Sequence, residues 1–364
     1  MTAGVAGRLS GSGAAAAAVH EPAGGARGRR PADGPAPHGQ LALAGDVGTA
    51  ARDGLVVQLA GGLPLAGAAD AIGSAAALAT AWRRLGERAL DRIPGGWLAV
   101  VWDEPARTLV CARSPRGFRR LFWRADGDGL RFGTALADVV GPVRRLNEDF
   151  LVELLANRVT TRDETPFAGV HRLPAGHLLR ARPGEPPTVR RWHDPSPGEP
   201  LDVDRAEAAR LLRRQLETVI AEHVPATTGV LVSGGLDSNT VLAVARRVVA
   251  PERDRVVGCS MVFPGQPHDE SAWLDAVDRH HPEPVWRLVA RDYDWSAWRD
   301  WSAASLLPPL RPNIAKSDPA VRLLAAAGIR GVLTGEGGDD WFGSGPLHWP
   351  GLLRRGQVRR VLGA

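Results

Sequence analysis

Ser233-Gly234-Gly235-Leu236-Asp237-Ser238 interrupts an apolar strand-like run, "GVLV" (229–232), and gives way at once to a helical run over 238–250. Two glycines permit a sharp turn and let backbone approach a ligand with no Cβ between them. The helix that follows aims its free N–H groups and the positive end of its dipole at the same place, which favours phosphate. The hydroxyls of Ser233 and Ser238 add donors. Asp237 is the odd member, because a bare carboxylate repels phosphate unless a divalent cation such as Mg²⁺ lies between them. Gly, Ser and Asp also populate ordinary strand-to-helix loops. The full six-residue string, set between a strand and a helix, makes a pyrophosphate-and-metal cradle the better reading.

A second stretch, "LTGEGGDDWFG" (333–343), closes another apolar strand and carries Glu336, Asp339 and Asp340 on glycine-rich chain. Carboxylates this close repel one another unless a cation or a basic ligand group is near. A solvated acidic turn is the plainer alternative. No P-loop of the Gly-x4-Gly-Lys-Ser/Thr kind occurs, so transfer of a γ-phosphate is not the favoured chemistry.

Both stretches need strands that deliver them to one edge. From residue 204 onward, helix- and strand-length segments alternate. An amphipathic helix over 204–223 is opened by Asp204 with Glu207 three places on, a capping-box arrangement. Strand 229–232, helix 238–250, strand 255–263, helix 269–281 and strand 285–290 follow. Helix 318–328 has Asp318 as its expected N-cap, Pro319 in its first turn and Gly328 as its stop, and strand 331–334 comes next. Such alternation predicts a parallel sheet with helices on both faces, whose ligands bind beyond the carboxyl ends of the strands.

Upstream the rhythm differs. Short apolar runs at 95–103, 108–113, 120–124 and 129–134, separated by turn signals, predict antiparallel strands in a meander, and a helix follows over 147–158. Residues 8–40, rich in Gly, Ala, Pro and Arg, have little to bury and are expected to be loop-like. Proline and glycine crowd 183–200, which reads as a linker. The expected division is therefore a domain over 1–183, a linker over 184–203 and a second domain over 204–364.

A length of 364 residues allows two cores, and 44% hydrophobic with 23% charged residues is globular. No apolar run reaches membrane-spanning length and the N-terminus lacks a signal peptide, so a soluble, cytoplasmic protein without a membrane partner is expected. Cys111 and Cys259 both sit in strand-like runs and read as small buried hydrophobes. The net charge is only +5. Lys316 is the one lysine among many arginines, and no basic block is interleaved with aromatics, so nucleic acid is not an expected partner.

"SGGLDS" (233–238) and "GEGGDD" (335–340) together resemble the asparagine-synthetase superfamily. The segment 93–140 looks like that family's N-terminal glutaminase domain and 149–181 like its link into the synthetase domain. The resemblance implies an α/β fold: an Ntn-type α+β sandwich, then a parallel-sheet synthetase domain of the adenine-nucleotide-hydrolase-like, PP-loop kind. It implies ATP and Mg²⁺ as cofactors. A substrate carboxylate would attack the α-phosphate of ATP, and an amine would then capture the acyl-adenylate as an amide. By motif position, Ser233, Gly234, Gly235 and Ser238 would hold pyrophosphate, and Asp237 and Asp339 would bind Mg²⁺. Glu336 would lie beside the reacting acyl or amine group, with Asp237 and Asp339 the other catalytic candidates. Leu231, Val232 and Ser260 would line the adenine pocket, and Gly335 completes the nucleotide-binding set.

The chain also departs from the family. Glutamine-hydrolysing members carry a cysteine after the initiator methionine, whereas the start here is "MTAGVAGRLS", which puts Ala3 at the nucleophile position. Thr2 would become an N-terminal nucleophile only if Met1 were removed. The family's Asn-Gly-Glu stretch for binding glutamine is matched only by "LAGGLPL" (59–65), so glutaminase activity is not expected. Members without it include β-lactam synthetases and the cyclases that close lasso peptides. The segment 336–357, with Trp341, looks more like the lasso cyclases. That implies a precursor peptide as substrate, with a leader peptidase and a leader-binding protein as candidate partners. An ammonia-using asparagine synthetase, a β-lactam synthetase and an inactive nucleotide-binding scaffold stay open as alternatives. The family's further C-terminal helical region, with its lysine, is not matched by Lys316, so a fragment or a completing partner is expected.

Overall fold

The computed structural model describes residues 5–9, 15–16, 42–43, 47–61, 72–116, 119–126, 129–141, 145–158, 160–194, 201–224, 227–249, 255–281, 283–289, 295–308, 314–329, 331–339, 349–354, 356 and 358. The chain forms two compact units, residues 1–202 with 296–310, and residues 203–295 with 311–364. Among the described residues no helix is long and apolar enough to cross a membrane.

Unit 1 is built on two six-stranded sheets. Its strands are β1 (Val5–Leu9), β2 (Ala15–Ala16), β3 (Ala42–Leu43), β4 (Val47–Arg52), β5 (Leu55–Gly61), β6 (Trp97–Asp103), β7 (Thr108–Arg113), β8 (Phe122–Asp126), β9 (Gly129–Gly133), β10 (His171–Arg172), β11 (His177–Ala181) and β12 (Thr188–Arg191). One sheet runs β12-β11-β7-β6-β5-β4, and the other β10-β8-β9-β1-β2 with β3 on β1. Helix α1 (Ala75–Leu85) is capped by Ser74, whose hydroxyl accepts the Ala77 N–H. Helices α2 (Leu136–Val140) and α3 (Glu148–Leu155) follow β9.

Strand β6 explains the layering. Trp97, Ala99 and Val101 join the core shared with Leu78 and Trp82 of α1, while Leu98, Val100 and Trp102 join the core shared with Leu130 and Phe132 of the other sheet. A strand buried on both faces reads as a continuous apolar run, as 97–102 does, because it lies in a middle layer. Each large aliphatic side chain so buried contributes roughly 1.5–3 kcal/mol. On the outer face of the second sheet, α2 packs Leu136, Val139 and Val140 against Phe122.

The four runs expected as one meander are therefore divided, β6 and β7 in one sheet, β8 and β9 in the other. Local alternation marks strands but not which sheet they join. The stretch read as a linker also needs correction. Within 184–203, Thr188–Arg191 is β12, antiparallel to β11, and Trp192 stacks on Trp97 at 5.6 Å. Pro183, Gly184, Pro186 and Pro187 mark the turn of a hairpin rather than a tether. The few described residues of 8–40 include β2, paired with β1.

Unit 2 carries α4 (Arg205–His223), β13 (Thr227–Leu231), α5 (Leu236–Val248), β14 (Arg255–Val262), α6 (Ser271–Asp278), β15 (Trp286–Val289), α7 (Trp295–Ser305), α8 (Ile314–Ala326) and β16 (Gly331–Thr334), with most of α7 contributed to unit 1. Its four strands are all parallel in the order β15-β14-β13-β16. Val230, Val232 and Val262 face a core with Leu242 of α5 and Leu274 of α6, whereas Val257 and Cys259 face Leu324 of α8. Helices thus cover both faces, as the alternation predicts. Asp204 caps α4 by accepting the Glu207 N–H at 2.8 Å, while the Glu207 carboxylate pairs with Arg210 instead of closing the box.

Helix α8 begins a turn earlier than expected, so Asp318 is not its N-cap and Pro319 lies inside it. Asp318 serves as an i,i+4 partner, 2.6 Å from Arg322. A proline five residues into a helix sacrifices only one early hydrogen bond, which the burial of neighbouring Ala320 and Leu324 outweighs. Gly328 does stop the helix, at φ +79°, and the Ile329 N–H returns to the Leu324 carbonyl.

Candidate functional site

The chain passes β13, β14 and β15 outward in one direction and then returns to place β16 on the opposite side of β13. Strand order therefore reverses between β13 and β16, the position where open α/β sheets leave a crevice at their carboxyl edge. Both chemistry-bearing stretches emerge there, 233–238 from β13 and 335–339 from β16. Their contact is intimate. A Cβ built on Gly335 would lie 2.5 Å from the Ser238 nitrogen, and one built on Gly338 would fall on the Asp237 carboxylate. The second loop thus lies directly on the first turn of α5, in a space only glycine leaves.

Helix α5 starts at Leu236, two residues earlier than the sequence suggests, so Asp237 and Ser238 belong to its first turn. First-turn N–H groups have no acceptor within the helix and carry its positive dipole end. Ser238 is buried, and its hydroxyl accepts the Ser233 N–H at 3.0 Å and lies 3.1 Å from the Ser233 hydroxyl. The Gly235 N–H donates to Ser233 Oγ at 3.2 Å. Asn239, which the sequence reading passed over, braces the loop from below. Its Nδ2 donates to the carbonyls of Ser233 (2.9 Å) and Gly235 (2.7 Å). Its Oδ1 is buried with no hydrogen-bond partner among the described residues, the kind of atom an ordered water or a ligand donor satisfies.

Glu270 was also missed. Its carboxylate accepts the Gly234 N–H at 2.9 Å, reaching across from the carboxyl end of β14. The expected helix 269–281 begins only at Ser271, because Asp269 and Glu270 form the turn before it. Asp269 Oδ1 accepts the Phe263 N–H (2.8 Å) and the Ser271 hydroxyl (2.9 Å). An Asp-Glu pair just past a strand's carboxyl end was the available signal.

These bonds, the one from Phe263 first, hold the Asp269 carboxyl below its ordinary value, with Ser271 and His268 adding to the effect. A lowered folded value stabilises the fold above the ordinary aspartate range and is lost as pH falls through it. The gap in urea midpoint between wild type and Asp269→Asn is expected to be full above the ordinary aspartate range and to narrow as pH falls below it. Parallel urea titrations across that window check this, and a gap that persists at the acid end refutes it.

The remaining candidates are placed as follows. Leu231 and Val232 face opposite cores, and the Val232 N–H is taken by the Cys259 carbonyl at 2.9 Å, so they end the strand. Ser260 is buried on β14, one residue past the register partner of Leu231. Glu336 is exposed at the start of the second loop, its N–H donating to Thr334 Oγ1 at 3.4 Å, and Asp339 is exposed at the loop's far end. Met1, Thr2, Ala3, residues 62–65 of "LAGGLPL", Asp340 and Trp341 lie outside the described residues. Both cysteines are free and buried, and burial pushes their thiols up, away from reactivity.

Among the described residues no group of three or more His, Cys, Asp or Glu could hold a metal. Mg²⁺ does not require one, since it is commonly held by one or two carboxylates together with phosphate oxygens. The fit of Asp237 to that role rests on Gly338, which leaves room for its carboxylate against the second loop.

Comparison with known proteins agrees with this layout. Residues 69–192 match the glutamine amidotransferase domain family and residues 207–362 the asparagine synthase family. A Mycobacterium bovis protein provisionally named as a glutamine-hydrolysing asparagine synthetase is 26% identical over 299 residues, covering 76% of this chain and 43% of the relative. Amidase chry2 of Gibberella zeae is 25% identical over 303 residues, covering 75% of this chain and 45% of the relative. The chain therefore spans under half the length of these curated relatives. With an amidotransferase-type unit followed by a synthase-type unit whose two loops meet at the sheet's switch point, the chain is similar to the asparagine synthetase superfamily along both units.

Proposed function

We propose that the chain is an ATP- and Mg²⁺-dependent amide-forming ligase that adenylates a carboxylate and passes the acyl group to an amine. The observation that carries this reading is the packing of Gly335 and Gly338 onto Ser238 and Asp237, which makes two loops into one site. Loop N–H groups and the α5 dipole would stabilise charge building on the leaving pyrophosphate. Bound Mg²⁺ would supply further neutralisation, held by Asp237 and Asp339. Glu336, exposed on the second loop, would face the acyl or amine group.

As substrate we propose a precursor peptide whose Asp or Glu side chain is joined to its own N-terminal amine, as a lasso-peptide cyclase would do. One feature supports it: the segment 336–357 resembles the cyclases. The relatives named as glutamine-hydrolysing asparagine synthetases favour a second reading, an asparagine synthetase; without glutaminase chemistry it would use ammonia. Incubation with ATP, Mg²⁺ and a leaderless core peptide is expected to give a product one water lighter, with AMP and pyrophosphate in equal amounts. Release of AMP only with free aspartate and ammonia would eliminate the cyclase.

A further inference from the structure

The pyrophosphate loop is already occupied by the protein itself. Three consecutive N–H groups that should meet phosphate are each spoken for: Ser233 by the Ser238 hydroxyl, Gly234 by the Glu270 carboxylate, and Gly235 by the Ser233 hydroxyl. The two hydroxyls can rotate and donate to an incoming phosphate, so they are compatible with a ligand. The carboxylate is not. It is an acceptor carrying negative charge, and phosphate beside it would meet like-charge repulsion.

Nor is the position of Glu270 casual. Asp269 locks the turn that carries it, and Arg287 ties α6 to β15 through Asp275 and Asp278, both at 2.6 Å. Glu270 stands where a side chain could cap its own helix, yet it makes no such bond and reaches 36 residues back to Gly234. Trp273, one turn on, lies against the same glycine, 3.1 Å from where a Cβ on Gly234 would stand. Glu270 is exposed, so it can swing into water when displaced.

We propose that Glu270 is a resident anion of the phosphate loop: it competes with nucleotide phosphate for the Gly234 N–H, so the loop admits a phosphate that brings its own cation and resists one that does not. The inference rests on the phosphate-loop reading above and adds a selection step to it. Mg²⁺ on the incoming polyphosphate offsets the repulsion and lets phosphate oxygen replace carboxylate oxygen one for one. Free phosphate and pyrophosphate must instead displace Glu270 against its charge.

The test is binding of inorganic pyrophosphate and of ATP to the full chain, with Mg²⁺ and with chelator, by titration calorimetry. Wild type, Glu270→Gln and Glu270→Ala are compared. Gln keeps the size and the acceptor and removes only the charge, so it is not expected to disturb folding. Both variants are expected to bind Mg²⁺-free pyrophosphate about tenfold tighter than wild type, a fair effect for removing one charge at this range. Their binding of Mg²⁺-ATP should improve much less. Equal or weaker pyrophosphate binding by both variants overturns the proposal while leaving the phosphate loop standing. Weaker Mg²⁺-ATP binding in both would make Glu270 a metal ligand or strut and overturn it also. If no folded protein of the three binds either probe, the phosphate-loop reading fails and takes this proposal with it.

Discussion

Asp237→Asn is expected to lower ATP–pyrophosphate exchange at least about a hundredfold while leaving the urea midpoint of the full chain unchanged. The carboxylate sits half-buried on the first turn of α5, and Gly338 of the other loop leaves it room. Asparagine keeps volume and packing but removes the charge that would hold Mg²⁺ beside the phosphates. The dipole and N–H groups of α5 remain, so nucleotide should still bind, more weakly. Exchange within about threefold of wild type would show that Asp237 carries no metal, and the assignment would have to move to Asp339 alone.

Gly335→Ala should be as damaging by a different route. The added methyl would stand 2.5 Å from the Ser238 nitrogen and 2.8 Å from its Cα, both backbone atoms fixed by α5. Unlike the far end of a flexible side chain, they cannot step aside, so the second loop must lift from the first. Exchange is expected to fall at least about a hundredfold, and overpacking should cost about 1–3 kcal/mol in a urea titration. Gly337→Ala is the control. Gly337 lies at φ +94° with nothing among the described residues near its missing Cβ, so alanine there brings strain without a collision with them. If Gly335→Ala keeps its exchange activity, close contact of the loops is not what builds the site.

Unit 2 was the more legible half because its rules are local. Apolar runs alternating with helical ones fix a parallel sheet, a capping Asp204 and a stopping Gly328 announce themselves, and the loops follow from strand ends. Even so, periodicity did not reveal that β16 lies beside β13, which is what joins the two loops. In unit 1 the four expected runs are strands but not one meander, and β12 lies where a linker was expected, since alternation on β6 is silent about which of two sheets each face meets. Pro319 misled because a proline suggests a helix start more strongly than the burial of Ala320 and Leu324 argues for an earlier one. Glu270 and Asn239 escaped notice because each acts on backbone groups, and only the fold shows that Glu270 meets a loop 36 residues away.

The pairing of β16 with β13 also sets a timetable. About a hundred residues separate the two strands, so a growing chain makes the 233–238 loop long before its glycine-rich counterpart exists. Until then β13 has β14 on one side and a bare row of hydrogen-bonding groups on the other, a template for any strand nearby. Closing that gap is a late, non-local event in the folding of unit 2. The last of the described strands in the chain thus takes over from β13 as the edge of the sheet and is the part that brings Glu336 and Asp339 to the 233–238 loop. The full width of the described sheet and the meeting of the two loops arrive in the same step.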